Sequence, residues 1–598
     1  MSPTDISFYK QRAYDFSAKS QNISKKARTT SLLRVITFIS MIVISLMAAD
    51  KGYILLFFLT IFIFIIVFSI LVYHHNQLTY LSRHFEFLSQ VNEDEILRIQ
   101  GKLDTFENGR QFQKENHPYH IDLDIFGSNS LFQLLNRTTT FWGRKVLSSW
   151  ISDPAVKEEI QARQAAIQEL AEDINWSQEF QATGKHHEDH ANVGVFLSWL
   201  ENDPLILGNR FYDFIRFFGP FTLLTFFVFF LFSVISFIWI LFGITIHALV
   251  LLFVLEKVKI IHESTASSIK SLQSFEALIT MVEKKKFRSN WLQKTKSIFQ
   301  VEGLPASRTV GHLKRIFQRL DNRFNLIYQL VNLILLLDIH YAISAEKWKK
   351  RQPDNIKKWF LRMGEMEALN SLTGYHHANP EYSFPEISRE AFLLQAENMG
   401  HPLIPYNQRV NNDFSLEGQG TIALVTGSNM AGKTTFLRTV GVNTVLALMG
   451  APVCADSMKV SNFRVFTSMR TQDNLEENIS SFYAELKRIR QLFDYIKNGY
   501  SLFFLLDEIL KGTNSHDRHL GAVSLVHQLS GENITGLIST HDLELAKNAK
   551  KATRIVNYSF ESSIHGDEIF FNYKLKPGIC QTFNASKLME KMGIRLLK

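Results

Sequence analysis

Cysteine is almost missing from this sequence. Cys454 and Cys580 are the two thiols in 598 residues, too few for a disulfide framework, and a reducing compartment fits. Both read as ordinary buried thiols. Solenoid-type repeats and long low-complexity linkers are also missing, which argues against an array of repeats or a tethered-module design. Charged residues make up 20% against 46% hydrophobic, so wholesale disorder is excluded and the length suits about three or four cored domains. The net charge of +8 with a pI near 9.1 suits nucleic acid or anionic lipid without choosing between them.

Charge is absent altogether from three stretches, Val35–Ala49, Tyr53–Tyr73 and Phe217–Leu255, which hold many of the 50 Phe residues. Tyr53–Tyr73 has 21 residues, and at ~1.5 Å each that is roughly the hydrocarbon thickness of a bilayer. Val35–Ala49 is shorter and needs Leu32 and Leu33, with Arg34 snorkelling. The break between the runs is Asp50-Lys51-Gly52. Residues 1–34 carry seven Lys/Arg against two acids. That basic region is long for a signal peptide, and no small-residue cleavage site separates it from the full-length second run. A transmembrane hairpin over 35–75 is therefore expected, with the basic segment 1–34 in the cytoplasm. Phe217–Leu255 is interrupted only by Gly219, Pro220, Gly243 and His247 as oddities; it is too long for one span and suits a second hairpin, 211–257, turning near Ser233–Ser236. Two hairpins leave residues 76–210 and 258–598 on the N-terminal side. The expectation is a multi-pass protein of an inner or plasma membrane whose remaining domains are cytoplasmic.

Against that background one stretch stands out. Thr421-Ile422-Ala423-Leu424-Val425 reads as a buried strand, Phe436-Leu437-Arg438 as the body of a helix, and between them lies Gly427-Ser428-Asn429-Met430-Ala431-Gly432-Lys433-Thr434-Thr435. Strand, Gly-rich turn and helix form a phosphate-binding loop. Gly427 and Gly432 let backbone N–H groups turn toward one anion, and the helix N-terminus adds partial positive charge. Lys433 reaches the β- and γ-phosphates, and the Thr434 hydroxyl is a Mg²⁺ ligand. ATP and Mg²⁺ are the expected cofactors. Downstream, Ser501–Leu506 reads as a second buried strand delivering Asp507, a metal holder, and Glu508, which polarises the attacking water. A third strand, Thr535–Thr540, ends at His541, positioned to meet the γ-phosphate or that water, although a lone histidine there is more often structural.

The run Thr426 to Ala455 resembles the MutS mismatch-repair ATPases. So do Ser480-Ser481-Phe482-Tyr483-Ala484-Glu485-Leu486, Asp507 to Asp517, and Thr540-His541-Asp542-Leu543-Glu544-Leu545. His401-Pro402-Leu403-Ile404 and Val410-Asn411-Asn412-Asp413 match the family's lead-in to the loop, and Leu131–Trp150 resembles the start of its helical core. Together the likeness covers roughly 117–170 and 395–595. It implies an α/β P-loop NTPase of the ABC-type ATPase class, like MutS domain V, over 395–598. This is joined to an all-α MutS core and lever region over 76–210 and 258–394, into which the transmembrane helical hairpins are set. It further implies a homodimer through the ATPase domains, with each nucleotide completed by the partner. On that basis Ser480 and Ser481 face the other subunit's γ-phosphate, Asn429 covers the phosphates, and Val410 lies where the family packs against adenine. Arg409 stands where an aromatic is frequent, and Tyr573 is a substitute for it. Nothing before residue 117 resembles the mismatch-reading or connector domains, too little chain remains for a full-sized clamp, and no extra dimerisation tail is expected after Met592-Gly593-Ile594.

The implied function is a membrane-anchored MutS-like ATPase driving conformational change, with the lipid bilayer as one partner and DNA as the client, in a mismatch-repair-related or other DNA-structure role. Lys284-Lys285-Lys286 and Arg288 are candidate phosphate contacts, though such a cluster is more often a solvated helix face or a lipid-headgroup contact. An ABC-type transporter is the alternative: Leu529-Ser530-Gly531-Glu532-Asn533 looks like that class's signature but follows Asp507-Glu508 instead of preceding it. A membrane scaffold that binds nucleotide without turnover conflicts with the intact Lys433, Asp507 and Glu508. His186-His187-Glu188-Asp189-His190 has no defined zinc spacing and reads as a solvated loop.

Overall fold

The structure, a computed structural model, describes residues 6–187, 194–266, 268–301, 303–351, 353–428, 430–470, 481–549, 554–565 and 568–580. Two long helices open the chain, α1 (Ile6–Asp50) and α2 (Ile54–Ile99), turning at Lys51–Tyr53 and packed against each other along their length. No break marks residues 34–35 or 75–76: each helix runs from the uncharged stretch straight into a polar one. Polar groups at the far end fix the pair to the rest of the protein. Tyr9 Oη is 2.6 Å from His377 Nδ1 and Arg12 Nη2 donates to Gln178 Oε1 at 2.8 Å, while within the pair Ser89 Oγ of α2 donates to the Ala13 carbonyl of α1.

The helical core follows: α3 (Leu131–Leu135), α4 (Phe141–Ser152), α5 (Lys157–Ala171), α6 (Ile174–Lys185) and α7 (Gly194–Glu201). The periodicity predicts continuous helix from Ser130 to Trp150, but the structure interrupts it at Asn136–Thr140. The cause is distant in sequence. Glu367 Oε1 accepts from the Thr139 and Thr140 N–H groups at 2.7 and 3.1 Å, and the Thr140 hydroxyl caps α4 by accepting from Gly143 N. Next come α8 (Arg210–Leu231), α9 (Ile238–Ala266), α10 (Ile269–Lys284), α11 (Asn290–Ile298), a short hairpin β1 (Gln300–Val301) and β2 (Leu304–Pro305), α12 (Ala306–Asp321), α13 (Leu326–Leu335), α14 (Leu337–Arg351) and α15 (Pro353–Ala378). α8 and α9 are joined through residues 232–237, with Ser233 at φ 56°. Among the described residues, α1, α2, α8 and α9 are long and apolar enough to cross a membrane.

The α/β part begins with β3 (Glu386–Ile387), β4 (Leu393–Met399) and β5 (Asn412–Glu417), continues with β6 (Ile422–Thr426), α16 (Lys433–Met449), β7 (Ser457–Val460), β8 (Arg464–Ser468), α17 (Ser481–Lys497), β9 (Leu502–Asp507), α18 (Ser515–Ser530), β10 (Ile534–Thr540) and α19 (Leu543–Ala549), and ends with β11 (Ile555–His565) and β12 (Glu568–Pro577). Six strands form one sheet in the order β12-β11-β6-β10-β9-β8, parallel except at the β11–β12 hairpin; β3, β7, β4 and β5 form a second sheet. β6, β9 and β10 are buried at every residue, as central parallel strands must be. α16 is buried nearly all round, between this sheet and the helical core. A Cβ on Gly441 would lie 2.7 Å from Leu123 Cδ2 on one side and 2.8 Å from Leu505 Cδ1 on the other, so glycine is what allows that close packing.

Candidate nucleotide site

The carboxyl ends of β6, β9 and β10 open on one crevice, the usual ligand position in a parallel sheet. β6 runs into the loop at Gly427, and Gly432, at φ 94°, turns the chain into α16. Lys433 is buried; its Nζ donates to the carbonyls of Gly427 and Ser428, both at 2.9 Å, and lies 3.8 Å from Glu508 Oε1. Burial pushes this ammonium down to about 8, against the opposing pull of Glu508 and Asp507. Ser428 Oγ is buried with no hydrogen-bond partner. Met430 is exposed, Ala431 is buried, and Thr435 turns toward the cavity described below. Asn429 lies outside the described residues.

The Thr434 hydroxyl donates to Asp507 Oδ2 at 2.7 Å, and Ser539 Oγ, from β10, donates to Asp507 Oδ1. Glu508 sits just past β9 at φ 48°, a left-handed conformation costly for a non-glycine residue and often found at functional sites. Its N–H holds the Ser539 carbonyl at 3.1 Å. Glu508 Oε1 is 2.6 Å from His541 Nε2, and Oε2 is 2.8 Å from Lys511 Nζ. The contacts with His541 and Lys511 outweigh burial and hold the Glu508 carboxyl down at about 2, so it is ionised throughout the physiological range. A carboxylate at that distance requires Nε2 to carry the proton. The 3.3 Å approach of Lys433 Nζ to the same nitrogen is then a meeting of two donors and not a hydrogen bond.

Sequence reasoning did not single out Ser539, Lys511 or Glu485. Ser539 is legible only once β10 is known to neighbour β9. Glu485, in the Ser480–Leu486 segment, is buried and accepts from the Leu510 N–H, tying that segment to the turn after Glu508. Ser480 lies outside the described residues; Ser481 opens α17, and its side chain is not described.

On the other side of the loop a cavity of about 330 Å³ is lined by Val410, Met399, Phe436, Phe560 and Tyr573. Tyr573 is at φ 52°, and its ring lies over the loop: a Cβ on Gly432 would be 3.0 Å from Tyr573 Cδ1. Asn412 fixes this strand by donating to the Tyr573 carbonyl at 3.0 Å and accepting from Leu575 N at 2.8 Å. Arg409 also borders the cavity, but its Nη1 donates to Tyr382 Oη at 2.6 Å and its Nη2 lies 3.6 Å from Glu381, which turns the guanidinium toward the helical core.

A model of MutS domain V matches residues 423–593, and one of MutS domain III matches 103–193. Both matches are to domains of the MutS family. The first match contains the loop, Asp507, Glu508 and His541; the second contains α3–α6. Among curated relatives, the DNA mismatch repair protein MutS of Staphylococcus epidermidis is 26% identical over 47% of the chain and 33% of its own length. MutS of Natronomonas pharaonis is 28% identical over 40% and 28%, and Endonuclease MutS2 of Lactococcus lactis is 29% identical over 42% and 32%. The chain thus spans about a third of the length of the relatives it matches.

Two other candidate clusters resolve differently. Lys285 pairs with Asp173 at 2.8 Å, and Arg288 pairs with Glu172, so half of that basic group is matched by acids of the core. His186 stacks on Tyr80 at 4.2 Å, and its Nε2 lies 3.1 Å from His84 Nδ1; His190 is outside the described residues. No group of three or more His, Cys, Asp or Glu among the described residues is arranged to hold a metal ion.

Proposed function

We propose that this MutS-family protein is a membrane-anchored ATPase that hydrolyses ATP between two paired copies and transmits the resulting movement to DNA. One observation carries the reading: Lys433, the Thr434–Asp507 pair and the Glu508–His541 pair converge at the ends of three adjacent parallel strands. The residues suit nucleotide and metal. Ser428 Oγ is a buried hydroxyl free to meet a phosphate oxygen, and the N–H groups at the start of α16 face the same point. Thr434 and Asp507 would hold Mg²⁺, which neutralises charge on the phosphates. Lys433 leaves the loop carbonyls for the β- and γ-phosphates. Glu508, ionised, accepts a hydrogen bond from the attacking water and aligns it with phosphorus. His541 fixes Glu508 and, through its proton, favours negative charge building on the γ-phosphate. Val410 and Tyr573 flank the adenine, and Asp507 stays oriented by Ser539.

Pairing of two copies is supported by an open groove of about 460 Å³ beside Glu508, lined by Lys511, Arg518, His519 and Glu544. The names of the matched relatives support DNA as client, and the four apolar helices support a membrane anchor. Glu508→Gln tests the central step. Removing such a group costs ~10²–10⁴-fold in turnover, while ATP stays bound and pairing becomes long-lived. Unchanged turnover would refute the role given to Glu508. Filter binding of DNA to the full chain should show a steep salt slope; no binding at low salt would remove DNA as the client.

A further inference from the structure

One short helix outside the two apolar hairpins also turns hydrocarbon outward. On α13, Leu326 and Ile327 are 71% and 72% exposed and Leu330 is 57% exposed. Its polar side chains do not offset this. Asn332 is buried, Tyr328 Oη donates to Asp338 at 2.9 Å, and Gln329 Nε2 folds back to the Arg323 carbonyl. The outward face is thus mostly apolar, with the exposed Gln329 amide bonded back to the chain, and such a face needs a cover.

Its position indicates which. α13 lies along α9. At its start, Asp321 is 3.1 Å from His262 Nε2 and the Phe324 ring meets the His262 ring at 5.5 Å. At its end, the Leu333 carbonyl is 2.8 Å from His247 Nδ1. His247 is the titratable side chain of the long uncharged stretch, and here it satisfies a carbonyl that the end of α13 leaves without a helical partner. The opposite face of the ring meets α8, where a Cβ on Gly219 would be 2.6 Å from His247 Nε2. The charges of α9 resume at Glu256, nine residues beyond His247 (256 − 247), whereas on α8 Arg216 precedes Gly219 by three (219 − 216). At ~1.5 Å per residue the ring lies between about 4 and 13 Å from the nearest charges of the two helices, within one leaflet of a ~30 Å hydrocarbon layer.

The chain then turns by 83° into α14 without glycine or proline. Leu336 takes φ 51° and is fully buried, while Asn332 Oδ1 accepts from Asp338 N at 2.9 Å and so caps the new helix. The bend is built from buried side chains, as backbone at membrane depth requires.

We propose that α13 is a re-entrant half-helix. It enters the cytoplasmic leaflet beside α9, ends at His247 within that leaflet, and turns back at Leu336, with acyl chains covering its outer face. This rests on reading α8 and α9 as a spanning pair, whose exposed apolar belt α13 continues. The test uses the full chain in phosphatidylcholine vesicles carrying brominated acyl chains. An environment-sensitive fluorophore is placed through Leu330→Cys, through Leu224→Cys on the exposed face of α8, and through Asn498→Cys on the ATPase domain, with the buried native thiols left in place. Loss of fluorescence at 330 matching that at 224, with none at 498, is the expected result. Loss at 224 without loss at 330 overturns the proposal and leaves the hairpin standing, and a 330–330 crosslink between copies would then name a second chain as the cover. No loss at either position refutes the hairpin itself. Ile327→Cys, at the most exposed position, repeats the measurement should the Leu330 variant fail to fold.

Discussion

Replacing Glu95 by glutamine should destabilise the junction between the N-terminal helix pair and the helical core far more than a surface ion pair would. Glu95 lies near the end of α2 and is buried, with Arg137 donating to both its oxygens at 2.7 and 2.6 Å and Arg98 donating to Oε1 at 3.1 Å. Both guanidiniums are buried as well, and they also hold the carbonyls of Leu134, Leu135 and Asn136 that end α3. Glutamine keeps the shape but leaves two buried cations without a counter-charge. Breaking a buried pair costs ~3–5 kcal/mol, against ~0–1 kcal/mol for an exposed one. For a domain stable by only ~5–15 kcal/mol that loss is large, and it lowers Tm by on the order of 10 °C. Burial alone would raise the Glu95 carboxyl, yet Arg137 and Arg98 outweigh it and hold the group below the usual carboxylate range. The stabilisation is therefore complete above the unfolded value of about 4.3 and is lost as pH falls through the lower folded value. Thermal melts of the detergent-solubilised chain should show a gap between the native protein and Glu95→Gln that is constant near neutrality and narrows in acid. A shift of about 2 °C or less near neutral pH, as for an exposed pair, would refute the reasoning.

Gly432→Ala places a side chain at φ 94° and 3.0 Å from Tyr573 Cδ1. A left-handed non-glycine residue costs ~1–2 kcal/mol, so ATP affinity by equilibrium dialysis should fall roughly tenfold; unchanged affinity would mean the ring does not rest on the loop. Lys433, pushed down to about 8, should lose its charge as pH rises through that value. ATP affinity should then weaken between neutral and alkaline pH, with proton uptake on binding above pH 8, whereas Lys433→Arg should bind with a flat profile; a flat profile in the native protein would contradict this. Tyr573→Ala should weaken ATP more than inorganic triphosphate in competition titrations, and equal losses would remove it from the adenine pocket.

The convergence of the candidate site residues was largely legible because each part is local. The loop, the Asp507–Glu508 pair and His541 each sit at the end of an apolar strand, and a fixed strand–turn–helix order brings those ends together. What sequence could not show depends on through-space partners. Ser539 matters because β10 lies beside β9, and Glu485 because α17 reaches back to Leu510. Glu367 interrupts the helix at Asn136–Thr140 from 227 to 228 residues away. The bend at Leu336 carries no glycine or proline, so nothing local announces it. The uncharged runs marked four apolar helices, but not that α1 and α2 continue unbroken for 45 and 46 residues into the core, because polar helix follows apolar helix without any breaker.

The most direct measurement is phosphate release from ATP by the purified full chain in lipid nanodiscs, with and without Mg²⁺, beside Lys433→Ala. Turnover that requires both the metal and Lys433 is the predicted result. Failure of the native protein to retain ATP with magnesium, or equal turnover in Lys433→Ala, would contradict it.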